Sequence, residues 1–341
     1  PGFDSIKAGK ALEQGAFESM ANSMDVMQAG RARAPDFSET EIAALKARPA
    51  FAVACRQGAI SAIQHYRGSR LINILVSDRG RSAIGLLALY LHMLTQPDDP
   101  KSGLTLGRLK AICADQDIGS SGRIEAVVVL MRLFGVLKQV TSPADQRVRL
   151  LVPTERLLTV LHERWYGLLE AMALVLPEAK AIRAAFADEE FERAIVRRFG
   201  EAFLAGFRPL SDSKARELFG DRNAGLMVAF SIATAGSPDE FPARGPVPVS
   251  ISGLARKFGV SRVHVRKILR EAVGAGYLER IDGDDSKIVV LAPLRVAIET
   301  FFANAFLLMR DCAQGAFDEV EAMRTTNGPA IDAACRFASR K

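Results

Sequence analysis

Three arginines stand four residues apart in one short stretch of the chain, and a lysine stands among them. They are Arg262, Arg266 and Arg270, with Lys267. Residues four apart lie on one face of an α-helix, so the spacing predicts a single cationic stripe. A guanidinium group can donate two hydrogen bonds to guanine O6 and N7, and both residue types bind phosphates. The pattern therefore favours the binding of a polyanion.

The stripe belongs to residues 251–278, which predict two short helices joined by a tight turn. Gly259 lies at the turn, where a residue without Cβ takes a positive φ at little cost. Ser261 is placed to cap the second helix through its hydroxyl. Val265 and Ile268 fall on the inward face of that helix. We therefore expect an amphipathic helix with a buried apolar side and an exposed cationic side.

This segment resembles the helix-turn-helix of winged-helix transcriptional regulators in the style of the MarR and GntR families. The resemblance continues through residue 291. A strand at 278–281, turn residues at 282–286 and a return strand at 287–291 predict the hairpin called the wing. The resemblance implies that the second helix enters a DNA major groove, with its N-terminal half at base edges.

The resemblance also implies roles for single residues. Arg262 and Arg266, near the start of the second helix, are expected at base edges. His264 is expected to pack between helices. The residues expected at phosphates are Arg256, Lys257, Ser261, Lys267 and Arg270. Arg280 and Lys287 stand in the wing, from which they would reach the flanking backbone or the minor groove. Phosphate contacts give affinity that falls as salt rises.

A second segment repeats the pattern 141 residues earlier. The corresponding pairs are Ala114 and Ala255, Ser120 and Ser261, Ile124 and Val265, Val127 and Ile268, and Leu137 and Leu278. Strands at 136–140 and 147–152 predict a hairpin at the same place. Asp78-Arg79 precedes the first copy as Asp221-Arg222 precedes the second. We interpret the chain as a tandem duplication.

The two copies differ in charge. Glu125, Ala126 and Val129 occupy places that hold basic residues in the second copy, so the first copy lacks the cationic stripe. Ile118 stands where the turn glycine would align. Its serines could still admit a phosphate at a helix N-terminus. The weaker DNA-binding candidates of this copy are Ser120, Ser121, Arg123, Arg147 and Arg149.

The expected fold is mainly α with small β-hairpin wings, as two tandem winged-helix units flanked by additional helices. Residues 1–35 are expected to form an N-terminal arm or peripheral helix. Unit one is expected at 36–177, unit two at 178–312 and a C-terminal helical tail at 313–341. Ser38 with Glu41 predicts a capping box that starts a helix.

Composition narrows the classes of function. The 341 residues carry a net charge of +6, which favours a polyanionic partner. Neither the four cysteines nor the four histidines have the spacing of a metal site, and we expect no cofactor and no enzymatic activity. No apolar run reaches the roughly 20 residues of a membrane span, so we expect a cytoplasmic protein without membrane contact.

The sequence therefore predicts a transcriptional regulator that binds double-stranded DNA through unit two. Unit one would assist binding, form a homodimer or sense a small-molecule effector. One alternative is a plasmid replication initiator with two winged helices, which would need strongly basic surfaces on both units. Another is a scaffold in which winged helices bind proteins, although such scaffolds tend to be acidic.

Overall fold

The computed structural model describes residues 34–68, 73, 78–96, 99, 102–142, 145–238, 240–281 and 284–338. Across these residues the chain is mainly helical and carries small antiparallel sheets, which confirms the coarse fold class. The predicted arm at 1–35, except for its last two residues, and the centre of the second wing tip, 282–283, lie outside the described residues.

The first half of the chain runs from a short helix to a long one through one hairpin. Its elements are α1 (Glu39–Lys46), α2 (Phe51–Gly68), α3 (Arg79–Met93), α4 (Leu106–Asp115), α5 (Ser121–Leu133), β1 (Leu137–Thr141), β2 (Arg149–Pro153) and α6 (Glu155–Met172). Helix α1 begins where predicted, because Ser38 Oγ accepts a hydrogen bond from the Glu41 N–H at 3.1 Å. Strands β1 and β2 are antiparallel, with Leu137 opposite Pro153.

The second half has a similar order of elements. They are α7 (Ala179–Ala185), α8 (Glu189–Leu204), α9 (Ser213–Ala215) with a π-helical turn (Arg216–Gly220), α10 (Gly225–Ala233), β3 (Val247–Pro248), α11 (Ile251–Phe258), α12 (Arg262–Gly274), β4 (Leu278–Ile281), β5 (Asp284–Val290) and α13 (Ala292–Ala338). The strand order in the sheet is β3-β5-β4. Strand β3 was not predicted, because two residues are too few to display an alternating pattern.

The second hairpin corrects one predicted boundary. The return strand β5 begins at Asp284, three residues before the predicted start at 287, so residues 284–286 belong to the strand and not to the turn. Its ladder with β4 becomes irregular between Arg280 and Ile281, where Ile281 lies opposite Asp284. The acidic residues suggested a turn, but backbone pairing across this irregularity extends the ladder to the tip.

Helices from one half pack against the other half in a reciprocal way. Helix α2 lies against α6 and also against α10, while α8 lies against α13 and also against α3. The apolar cluster around α3, α4 and α5 accordingly includes Val196 and Leu204 from α8. Tyr66 of α2 meets Phe258 of α11 edge-on, with ring centroids 5.5 Å apart. The predicted division near residue 177 therefore does not coincide with a division of the core.

Helix α13 is continuous from Ala292 to Ala338, and the predicted tail at 313–341 thus starts inside it. Phe317 packs on Phe191 of α8, with ring centroids 4.7 Å apart. Among the described residues, Ala292–Thr326 is the one helix long and apolar enough to cross a bilayer, and 61% of its most apolar window is buried inside the structure. Burial to that extent is typical of a core helix.

Candidate nucleic-acid interface

The turn between α11 and α12 has the predicted geometry. Gly259 has a left-handed backbone with φ of 67°, and the next amide, of Val260, donates to the Ala255 carbonyl at 3.0 Å. Ser261 caps α12, because its Oγ accepts a hydrogen bond from the His264 N–H at 3.0 Å. These contacts set the direction in which α12 leaves the turn.

One face of α12 is fixed in the core, and the opposite face is open. Val265 and Ile268 are fully buried, which confirms the prediction for both. The basic residues on the open face are exposed, namely Arg262, Arg266, Lys267 and Arg270. Val263 lies among them with 73% of its surface exposed. The sequence analysis missed Val263 because a valine inside a helix is normally assigned to the core.

The charges on this face are mostly uncompensated. Lys267 Nζ lies 3.9 Å from Glu271 Oε1, an exposed contact of little strength. Arg222 also binds Glu271, and this hydrogen bond lowers the pKa of the Glu271 carboxyl, which stays ionised at neutral pH. Arg262 and Arg266 make no ion pair with any other residue that the structure describes. The N-terminal half of α12 therefore presents free guanidinium groups.

Contacts from the segment before α10 hold α12 in place. His264 Nε2 donates to the Asn223 carbonyl at 2.9 Å, so this side chain has the packing role that was predicted for it. The neighbouring residue, Arg222, supplies the bond to Glu271. A signal for Arg222 was present in the sequence, since the Asp-Arg pair recurs before each copy. Arg79 of the first pair contacts Asp221 of the second at 2.5 Å, so the two pairs meet.

The remaining predicted contacts of the second half differ in accessibility. Arg256 at the end of α11 and Lys287 on β5 are exposed. Lys257 is half-buried, with its Nζ 3.2 Å from Ser231 Oγ and 5.3 Å from the centre of the Phe258 ring. Arg280 on β4 is also half-buried. Arg256 and Lys287 thus extend the open cationic face, while Lys257 and Arg280 are partly held by the fold.

The exits of α5 and α12 have the same backbone geometry. Gly135 and Gly276, 141 residues apart, have left-handed φ values of 66° and 76°. The amide after each glycine donates to a helix carbonyl at 2.9 Å, from Val136 to Met131 and from Tyr277 to Ala272. The Ser120 hydroxyl caps α5 as Ser261 caps α12, at 3.3 Å from the Arg123 amide. The sequence offset of 141 therefore holds from cap to exit.

The turn before α5 corrects the alignment of the preceding helix. Asp117 takes the left-handed φ of 48°, and the Ile118 amide donates to the Cys113 carbonyl at 2.9 Å. This is the bond that Val260 makes in the second half, so the first turn is one residue longer. Cys113, which is fully buried, occupies the place of Ala255. The predicted match of Ala114 is wrong, because that residue is exposed.

The polar residues of α5 are largely occupied within the fold. Lys110 Nζ pairs with Glu125 at 2.6 Å, and Arg123 pairs with Asp78 at 3.3 Å. Ser121 is exposed at the first turn. Arg147 and Arg149 are exposed on the hairpin, where Arg149 donates to the Thr141 hydroxyl. The structure does not bring these weaker candidates into a stripe like that of α12.

Comparison with protein-family models, with curated proteins and with solved structures gives no match for this chain. Within the described ranges, no group of three His, Cys, Asp or Glu side chains is placed to hold a metal ion. Cys55, Cys113 and Cys312 are buried free thiols, and burial raises the pKa of Cys113 to about 12. The open face of α12 remains the strongest candidate site.

Proposed function

We propose that the chain is a DNA-binding transcriptional regulator whose second half forms a winged helix and reads a major groove with α12. The observation that carries this proposal is the open face of α12, on which Arg262 and Arg266 stand exposed beside a capped helix start. A helix of 13 residues, about 20 Å long, fits the major groove with its first turns toward the bases.

The proposed contacts divide by chemistry. Arg262 and Arg266 donate to guanine O6 and N7, while Lys267 and Arg270 bind phosphates farther along the helix. Val263, exposed between the arginines, meets the C5 methyl group of thymine. Exposed charges at Arg256 and Lys287 reach the backbone on either side, so binding combines base recognition with salt-dependent affinity.

We further propose that the two halves are tandem winged-helix units related by a pseudo-two-fold axis. The matching helix exits and the reciprocal packing of α2 and α8 support this interpretation. The contact of Arg79 with Asp221 lies where the two units meet. A replication initiator is less well supported than a regulator, because the face of α5 lacks the cations that a second DNA-reading surface needs.

The test is binding of labelled random-sequence duplex DNA, measured by fluorescence anisotropy at several salt concentrations. We expect the affinity of the parent chain to fall as salt rises. Each bidentate arginine contact contributes about 1–3 kcal/mol, so Arg266→Ala should weaken binding to a selected site by about tenfold or more. The double variant Arg262→Ala/Arg266→Ala should weaken binding further.

Lys180→Ala is the matched control, because it removes one exposed positive charge from α7, away from the proposed interface. We expect its affinity to equal that of the parent chain apart from a small electrostatic change. If the double arginine variant bound DNA as tightly as Lys180→Ala at physiological salt, the assignment of α12 to the groove would be wrong.

A further inference from the structure

Helix α5 exposes an apolar stripe on one face. Val129 and Leu133 are 54% and 74% exposed, and they continue a line that begins at Gly122 and Ala126, both exposed. Nothing lies within 4 Å of the position that a Cβ on Gly122 would occupy. Single exposed apolar residues are ordinary, but several on one helical line indicate a surface that is covered in the functional state.

The same face carries a different chemistry in the second half. At the offset of 141 residues, the stripe corresponds to Val263, Lys267, Arg270 and Gly274 on α12. The two charges of that face are thus replaced on α5 by Ala126 and Val129, while the nearby Lys110 is paired with Glu125. A face of this composition suits an apolar surface and not a polyanion.

We propose that this stripe is a dimer interface, occupied by α5 of a second copy of the chain in antiparallel orientation. A two-fold axis through the middle of the helix would place Gly122 opposite Leu133 and Ala126 opposite Val129. Each small residue then meets a large one from the other copy. The surface is self-complementary, as an interface across a two-fold axis requires.

Charge complementarity favours a second copy over an unrelated apolar partner. Glu125 and Arg132 lie on the same side of the stripe and are both exposed. In the antiparallel arrangement Glu125 of each copy approaches Arg132 of the other, so two ion pairs flank the apolar contact. Opposite charges at such positions set orientation more than they add affinity.

The size of the stripe sets the expected strength. Two helices of 13 residues, each about 20 Å long, bury less than the roughly 1,200 Å² of a standard stable interface. The dimer should therefore be reversible and depend on concentration. Because this test needs no DNA, its result is separate from that of the DNA-binding proposal.

The experiment is sedimentation velocity of the full chain over a range of concentrations. We expect a monomer–dimer equilibrium whose dissociation constant rises at least tenfold in Val129→Glu and in Leu133→Glu. Val53→Glu is the matched control, because Val53 on α2 is 53% exposed and lies outside the stripe. A parent chain that stays monomeric at every concentration, or a control that dissociates as much as Val129→Glu, would overturn the proposal.

A second set of variants tests the orientation of the two helices. Arg132→Glu should weaken the dimer by placing like charges opposite each other. Adding Glu125→Arg restores the opposite signs across the axis, and Lys110→Glu keeps the pair within each chain. We expect the triple variant to recover the dimer. A triple variant that dissociates as readily as Arg132→Glu would rule out the antiparallel pairing.

Discussion

At the residue scale, Val263 is the side chain whose environment departs most from its type. A β-branched residue in a helix that packs against a core is normally buried, yet 73% of Val263 is exposed. Its neighbours Arg262 and Arg266 are charged, so the valine interrupts a hydrophilic face. In the proposed complex this position gains a partner, because the thymine methyl group is the apolar feature of the major groove.

We predict that Val263 recognises a thymine in the selected DNA site. Replacing that thymine by uracil removes only the methyl group, and a buried methyl is worth about 0.8 kcal/mol, or about fourfold in affinity. In Val263→Ala the same replacement should have little effect. Anisotropy titrations of both proteins with both duplexes complete the cycle. Equal losses in parent and variant would show that another residue contacts the methyl group.

At the element scale, the helix-turn-helix depends on one backbone conformation. Gly259 has a φ of 67°, and nothing lies within 4 Å of its missing Cβ. The cost of a side chain there is therefore one of backbone strain and not of a clash. The turn in the first half meets the same requirement with Asp117 at φ 48°, a residue type that tolerates this region.

We predict that Gly259→Ala destabilises the protein by about 1–2 kcal/mol, the cost of a left-handed L-residue. Gly274→Ala is the control: this glycine also has open space around its missing Cβ and it lies at the end of helix α12. It should be neutral or stabilise by up to about 1 kcal/mol. Urea unfolding measures both, and equal midpoints for the two variants would contradict the strain argument.

Local signals in the sequence predicted the parts of the site that local chemistry controls. The glycine turn, the serine cap and the burial of Val265 and Ile268 are all confirmed. Strand β3 and the longer first turn were missed. Strand β3 exists through its pairing with β5, where Val247 lies opposite Ile288, a partner far along the chain. The first turn gained a residue that a fixed offset cannot represent.

At the scale of the whole molecule, the two halves hold each other in place. Helix α8 crosses α3 so closely that a Cβ at Gly200 would lie 2.4 Å from an atom of the Tyr90 ring. Tyr90 is buried, so its ring has little room to move. No pattern in the sequence reveals this contact, because it depends on the mutual position of helices that are distant in the chain.

We predict that Gly200→Ala destabilises the whole chain by about 1–3 kcal/mol, the usual cost of overpacking. The control is Gly85→Ala on α3, where nothing lies within 4 Å of the missing Cβ and where alanine should stabilise by about 0.5–1 kcal/mol. Thermal unfolding should lower the midpoint of the first variant and not of the second. A Gly200→Ala midpoint at or above that of the parent would contradict the close packing of α8 on α3.

The measurement that tests the central claim most directly is methylation interference at guanine N7 on a duplex selected from a random pool. N7 lies in the major groove, where Arg266 is proposed to bind. We predict interference at one or more guanines within a single major-groove segment, and its loss at one guanine in Arg266→Ala. A selected site without any guanine N7 interference, or a pattern unchanged in Arg266→Ala, would contradict the proposal that α12 reads the major groove.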